Sequence, residues 1–362
     1  MSAPVKKKRI FYLDALRALA ILAVIILHVF MYTRLNIVNE YGVVPSPVWF
    51  IFDFMVLDFR IGVVLFLMLS GALSLGREWS IRSFLGRRLP RIISPFLFWG
   101  FVLSLLMISV AYVFQIGWIK TFDIMSILDY IYNAYLCNSK GFYQYWFFWM
   151  ILGTYLIMPI FNKWIYHSSF KEIEYFLAIW LVTCFFDFTI FHHFPIKLNY
   201  FVSPIGLVVL GYYLRFNDNK LLNNPYFDIF LIVLATVMMM VISYMLSTPK
   251  SIYTFNRYSI FYVIEVTGIW MLFKNFNKLN FNSKFISNPD GIFRKFCSTL
   301  AKYSYGLYLT HVAFLSIAWY FLPRKPFMLS VTILLLVSIF VPLGLLVVLN
   351  RIPYVNKVIG AK

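Results

Sequence analysis

Acidic residues are scarce in this chain: 14 Asp and Glu stand against 32 Lys and Arg. The resulting net charge of +18 invites a nucleic-acid partner, but the distribution excludes one. The basic residues sit in short loops between apolar runs and form no single patch. Cysteine is almost missing. Cys137, Cys184 and Cys297 are far apart and lack metal spacing, which rules out a disulfide framework and a zinc site. There is no Gly-rich phosphate loop, nucleophile elbow, metal-binding pair or low-complexity segment. Long polar stretches are lacking too. The segments around 34–59, 116–144 and 275–302 leave no room for a separate soluble domain, so one integral-membrane domain is expected over 1–362. The ten-residue alternation of a membrane β-barrel is also absent.

What remains is apolar. The chain is 62% hydrophobic and 21% aromatic, with a mean hydropathy of +0.79, where a soluble domain is about half apolar. Stretches near 20 residues long predict an all-α polytopic membrane protein of about ten spans. These are expected at 11–33, 60–76, 92–115, 145–162, 174–191, 199–215, 226–246, 257–274, 303–322 and 327–349. If the N-terminus is cytoplasmic, inner segments hold 22 of the 32 basic residues, outer segments hold nine, and Arg17 lies within a span. That asymmetry follows the positive-inside rule and predicts that both termini are cytoplasmic. Lys6, Lys7, Lys8 and Arg9 resemble the start of a signal peptide. However, the apolar run behind them is long, carries Arg17 and His28, and lacks a clear small-residue cleavage site, so a retained first span is expected. The 34–59 segment, with Pro45, Pro47 and Trp49, reads as interfacial structure on the outer face. No internal repeat is visible, which weakens a transporter built on inverted repeats.

Ionisable groups inside these spans are costly and mark candidate sites. Arg17 and His28 are eleven residues apart on the first span. That spacing is close to three helical turns, which puts both on one face roughly 16 Å apart along the axis. A neutral imidazole at mid-membrane depth is tolerable and can serve as a general base; the alternative is a hydrogen bond between helices. Arg17 suits a phosphate or carboxylate anchor, or it snorkels to the interface with Asp14, three residues earlier, as its ion-pair partner. The 84–95 segment reads as a loop with three arginines at the inner start of the third span. Arg88 and Arg91 are spaced to face one way, as a phosphate site or as topology signals. Ser304, Tyr308 and His311 form a polar stripe at helical spacing, and Glu265 and Asp187 are further intramembrane acids. Any of these also serves as structural glue between helices.

Five stretches then match one family in order. They are Asp14-Ala15-Leu16-Arg17 through His28, with its Arg-x10-His spacing; the apolar stretch from Arg60 to Phe66-x3-Ser70-Gly71; Phe84-x3-Arg88-x2-Arg91-Ile92-x2-Pro95; Trp146-Phe147 with Tyr155 and Pro159; and Ser304-Tyr305-Gly306-Leu307-Tyr308-Leu309-Thr310-His311. Together they resemble the acyltransferase 3 family of bacterial integral-membrane proteins, which acylate extracytoplasmic glycans from cytoplasmic acyl-CoA. Val64 stands where many relatives have Pro, and Gln144 where a His is common.

The resemblance implies an O-acyltransferase of the bacterial cytoplasmic (inner) membrane. Acyl-CoA would be a co-substrate, with acetyl favoured by family frequency, and no cofactor or metal would be permanently bound. Its partners would be acyl-CoA, a glycan acceptor such as O-antigen or exopolysaccharide, and the bilayer. His28 would take the acceptor's hydroxyl proton or itself become acylated, with Arg17 or Asp14 tuning the site. Arg88 and Arg91 would meet the CoA phosphates, and Arg60, Ser70, Trp146, Glu265, Ser304, Tyr308 and His311 would line the acceptor site or channel. The competing function is an exporter of glycan or lipid-linked sugar without chemistry. The oligomeric state stays open.

Overall fold

The computed structural model describes residues 10–41, 47–119, 121–189, 199–218, 220–246, 255–279, 288, 291–322 and 327–361. Several residues used in the charge argument lie outside these: 6–9, Lys120, Lys197, Lys250, Lys284, Arg324, Lys325 and Lys362. Pro45 is outside as well, as are the side chains of Arg34, Pro47, Trp49 and Asp187.

The described residues are helical and contain no strand. In order they form α1 (Phe11–Tyr41), α2 (Pro47–Asp58), α3 (Ile61–Ser74), α4 (Ile81–Val113), α5 (Ile124–Tyr135), α6 (Trp146–His167), α7 (Phe170–Asp187), α8 (Asn199–Phe216), α9 (Pro225–Leu246), α10 (Ile260–Asn275), α11 (Ile292–Phe321) and α12 (Phe327–Leu349). Each expected span falls on one of these helices. α2 and α5 are additional and occupy segments expected to be connections.

The 84–95 segment is a correction. It is not a loop but lies in the first half of α4. The helix starts at the Ser80 cap, whose hydroxyl accepts from the Ser83 N–H at 3.2 Å. Pro90 and Pro95 then sit inside it, each removing one N–H without ending the helix. The three arginines are therefore held on a rigid element.

Six described segments are long and apolar enough to cross a membrane: Phe11–Thr33, Phe54–Ser74, Ile81–Val113, Tyr143–His167, Pro225–Met245 and Met328–Leu349. The helices at the other four expected spans, α7, α8, α10 and α11, do not qualify by length and composition. α11 shows the physical reason. From Leu300 to Ser316 it is buried almost throughout, so its neighbours are protein rather than lipid and polar residues are tolerated.

α1 packs between α3 and α11, and α11 also packs on α4 and α12. Small residues set the close crossing of α3 with α8. A Cβ at Gly71 would run into the Val208 carbonyl, and one at Gly211 into the Met68 carbonyl. Only glycine on both sides lets these backbones touch. The C-terminal segment folds back on the bundle, where Trp99 on α4 donates its indole N–H to the Ile359 carbonyl at 3.1 Å.

Candidate active site

Two cavities are lined by opposite ends of the same central helices. The smaller, about 180 Å³, is bordered by Arg17 of α1, Phe66 to Leu73 of α3, Arg88 and Arg91 of α4, and Ala301 to Tyr308 of α11, with Lys302 among them. Four cationic side chains thus meet one hollow, and among the described residues no carboxylate lines it. Arg17 lies 3.8 Å from Asp14 on its own helix. The half-buried Arg88 guanidinium donates to the Leu73 carbonyl at 3.3 Å, which fixes it at the rim. Tyr305 ties α11 to α4 by donating to the Ile92 carbonyl at 2.8 Å. The hydroxyls of Ser70 and Ser304 border the cavity and donate to their own helices, to Phe66 at 2.9 Å and to Ala301 at 3.0 Å.

The larger cavity, about 580 Å³, is bordered by Val24 to Tyr32 of α1, Phe59 to Val63 at the start of α3, Tyr143 to Trp146 at the start of α6, and Phe255 to Arg257 just before α10. His28 is the titratable imidazole on this wall. Its Nδ1–H donates to the Val24 carbonyl at 2.7 Å, one turn back. The fully buried His311 does the same to Leu307 at 2.9 Å. With Nδ1 protonated on both rings, His311 Nε2 holds a lone pair 3.3 Å from His28 Nδ1. The pattern assigns one consistent tautomer throughout. It leaves Nε2 of His28 as the nitrogen not committed to the protein, on a ring that borders the cavity.

Tyr308 lines both cavities. Its hydroxyl donates to the main-chain carbonyl of Gln144, and its ring meets Phe147 edge-on with centroids 5.2 Å apart. The Gln144 side chain is held by its amide N–H to the Leu309 carbonyl at 3.2 Å, while its buried Oε1 has no partner among the described residues. The two hollows are therefore separated by side chains rather than by a helix.

Three residues expected at the site line neither cavity: Glu265, Asp14, and His311, which reaches it only through His28. Glu265 lines neither cavity; it is buried on α10 near Asp58, whose carboxylate accepts from Thr236 Oγ1 at 3.0 Å. Asp14 lines neither cavity either and lies fourteen residues from His28, roughly 21 Å along the helix, so it cannot orient the imidazole directly. In return the fold brings in residues that the sequence reading passed over: Lys302 at the smaller cavity, and Tyr143, Asn256 and Arg257 at the larger. Arg257 has one sequence signal, a basic residue at the outer edge of an expected span.

A family model described as an acyltransferase domain, that of acyltransferase 3, matches residues 10–347. The chain belongs to the acyltransferase 3 family. No curated protein and no solved structure matches it. In this membrane acyltransferase all five stretches that carry the resemblance reach a cavity wall. Arg17, Ser70, Arg88, Arg91, Tyr155 and Ser304 border the smaller hollow, His28, Arg60 and Trp146 the larger, and Tyr308 both.

Proposed function

We propose that the chain transfers an acyl group, acetyl by family frequency, from cytoplasmic acyl-CoA to a hydroxyl of an extracytoplasmic glycan such as O-antigen or exopolysaccharide. One observation carries the proposal: a cationic hollow and a histidine-bearing hollow meet at a single side chain, Tyr308. The charge asymmetry of the loops supports an inner-membrane orientation with about ten spans and both termini cytoplasmic, so the cationic hollow faces the cytoplasm.

Arg17, Arg88, Arg91 and Lys302 suit the phosphates of CoA, because guanidinium groups bind phosphate bidentately and ammonium binds it as a point charge. From there the pantetheine arm has to cover roughly the 16 Å that separate Arg17 from His28. Nε2 of His28 takes the proton of the acceptor hydroxyl as its oxygen bonds to the thioester carbonyl carbon. The C–S bond then breaks, and the thiolate leaves with the proton that His28 held. While His28 is charged, its Nδ1–H donates to the Val24 carbonyl and to the His311 lone pair, so His311 acts as a positioning residue. The runner-up is an acyl-His28 intermediate, in which the same Nε2 attacks the thioester first.

The test uses purified protein in lipid nanodiscs with radiolabelled acetyl-CoA and surface glycan from the producing cells. Labelled glycan should appear with the native chain and be lost with His28→Ala, with folding confirmed by gel filtration. Full labelling by the variant removes His28 from the chemistry. A native chain that moves glycan across the membrane without labelling it would be an exporter.

A further inference from the structure

Resting on that reading, we infer that the acceptor is an anionic glycan, whose carboxylate or phosphate is held by Arg60 and Arg257 while a neighbouring hydroxyl meets His28. The larger cavity contains two guanidinium groups that converge from distant parts of the chain, and among the described residues no carboxylate lines it. Arg60 donates one Nη1–H to the Phe255 carbonyl at 2.9 Å. Arg257 lies over the Trp146 ring, 3.8 Å from its centroid. These contacts fix the two groups and, among the described residues, engage few of their ten N–H donors. A guanidinium stacked on an indole presents its N–H edge sideways, where a carboxylate or phosphate is met bidentately.

Neither of the ordinary explanations accounts for the pair. The positive-inside bias depletes arginine on the outer side, so these two are not topology signals. The donor's phosphates are met at the opposite cavity, by Arg17, Arg88, Arg91 and Lys302. Two like charges around one hollow repel, and an anion entering between them removes that repulsion. The rest of the wall suits a sugar. Trp146 and Tyr143 supply aromatic faces, and the unpartnered Oε1 of Gln144 supplies a buried acceptor for a hydroxyl.

The test measures binding on the full chain in phosphatidylcholine nanodiscs by titration calorimetry. The probes are a tetrasaccharide of alternating glucose and glucuronate, a phosphorylated glucose tetrasaccharide, and neutral cellotetraose. At least one anionic probe should bind about tenfold or more tightly than the neutral one, with an affinity that falls as salt rises; which one does so identifies the anion. Arg257→Gln and Arg60→Gln should each abolish that preference, and Arg257→Lys should restore part of it, separating lost charge from lost fold. Equal binding of neutral and anionic probes overturns the inference, and so does an unchanged preference in both Gln variants. Repeating the titration with phosphatidylglycerol in the nanodisc exposes the remaining alternative: displacement of the anionic probe there would assign the arginines to a lipid headgroup and overturn the inference. The readout needs no chemistry. Anion-selective binding without acyl transfer removes the enzymatic reading alone, whereas transfer to neutral glycan without anion selectivity removes this inference alone.

Discussion

The two cavities draw on the same four helices, α1, α3, α6 and α11, yet differ in kind. Among the described residues the smaller is ringed by cations and lined by no histidine, while the larger places one imidazole and two guanidinium groups among aromatic rings. α1 contributes Arg17 to one and His28 to the other, α3 contributes Ser70 and Arg60, and α11 turns Tyr308 to both. One rigid rod with a functional residue at each end fixes the distance between two chemistries more reliably than two loops would. On the proposed function the difference separates two jobs: charges at a rim would capture a polyanionic donor, and the imidazole of the other cavity would perform proton transfer.

The harshest way to break this comparison is to push apart the helices that both cavities share. Gly71→Leu drives a side chain into the α8 backbone and should abolish recovery of folded protein on gel filtration. Recovery of a monodisperse, active variant would mean that the α3–α8 contact does not hold the site. Next in size, His28→Ala should lower acyl transfer by about 10²–10⁴-fold, the usual range for a general base, while acyl-CoA binding measured by calorimetry stays within about twofold. The mirror-image change, Arg88→Ala with Arg91→Ala, should raise KM for acyl-CoA by about tenfold or more and leave kcat little altered. A fall in kcat at constant KM would show that the two cavities do not divide the work as described.

Smaller effects sharpen the boundary between them. His311→Leu removes the lone pair beside His28 and should lower kcat by about tenfold with both KM values unchanged, and His311→Gln should recover part of the loss. Equal loss in the two variants, accompanied by a lower melting temperature, would mark His311 as packing only. Tyr308→Phe removes the hydroxyl that holds the dividing wall to Gln144, a hydrogen bond of about 1 kcal/mol. The expected result is a few-fold rise in acyl-CoA hydrolysis without acceptor, read as free thiol release. No change in that leak would place the barrier elsewhere.

Much of this was legible in residue order because it depends on helical periodicity. The apolar runs located each long helix, and the eleven-residue spacing of Arg17 and His28 needed only a straight helix to place them near opposite ends of one face. The loop expected over 84–95 fails at α4, because a capped helix runs through Pro90 and Pro95. Apolarity alone also missed α2 and α5, and it set the ends of α11 and α6 too far in. Glu265 drew attention as an intramembrane acid, yet its burial against Asp58 is a matter between helices.

What the sequence by itself determined, then, is the class of protein, the family motifs and the spacing of groups along each helix, all of them local properties. Which groups face each other was decided only in three dimensions. His311 meets His28 across 283 positions, Arg60 reaches the Phe255 carbonyl across 195, and Arg257 finds Trp146. No periodicity encodes such meetings, because they depend on where helices cross, and the crossings depend on small residues such as Gly71 and Gly211 that carry no chemistry of their own.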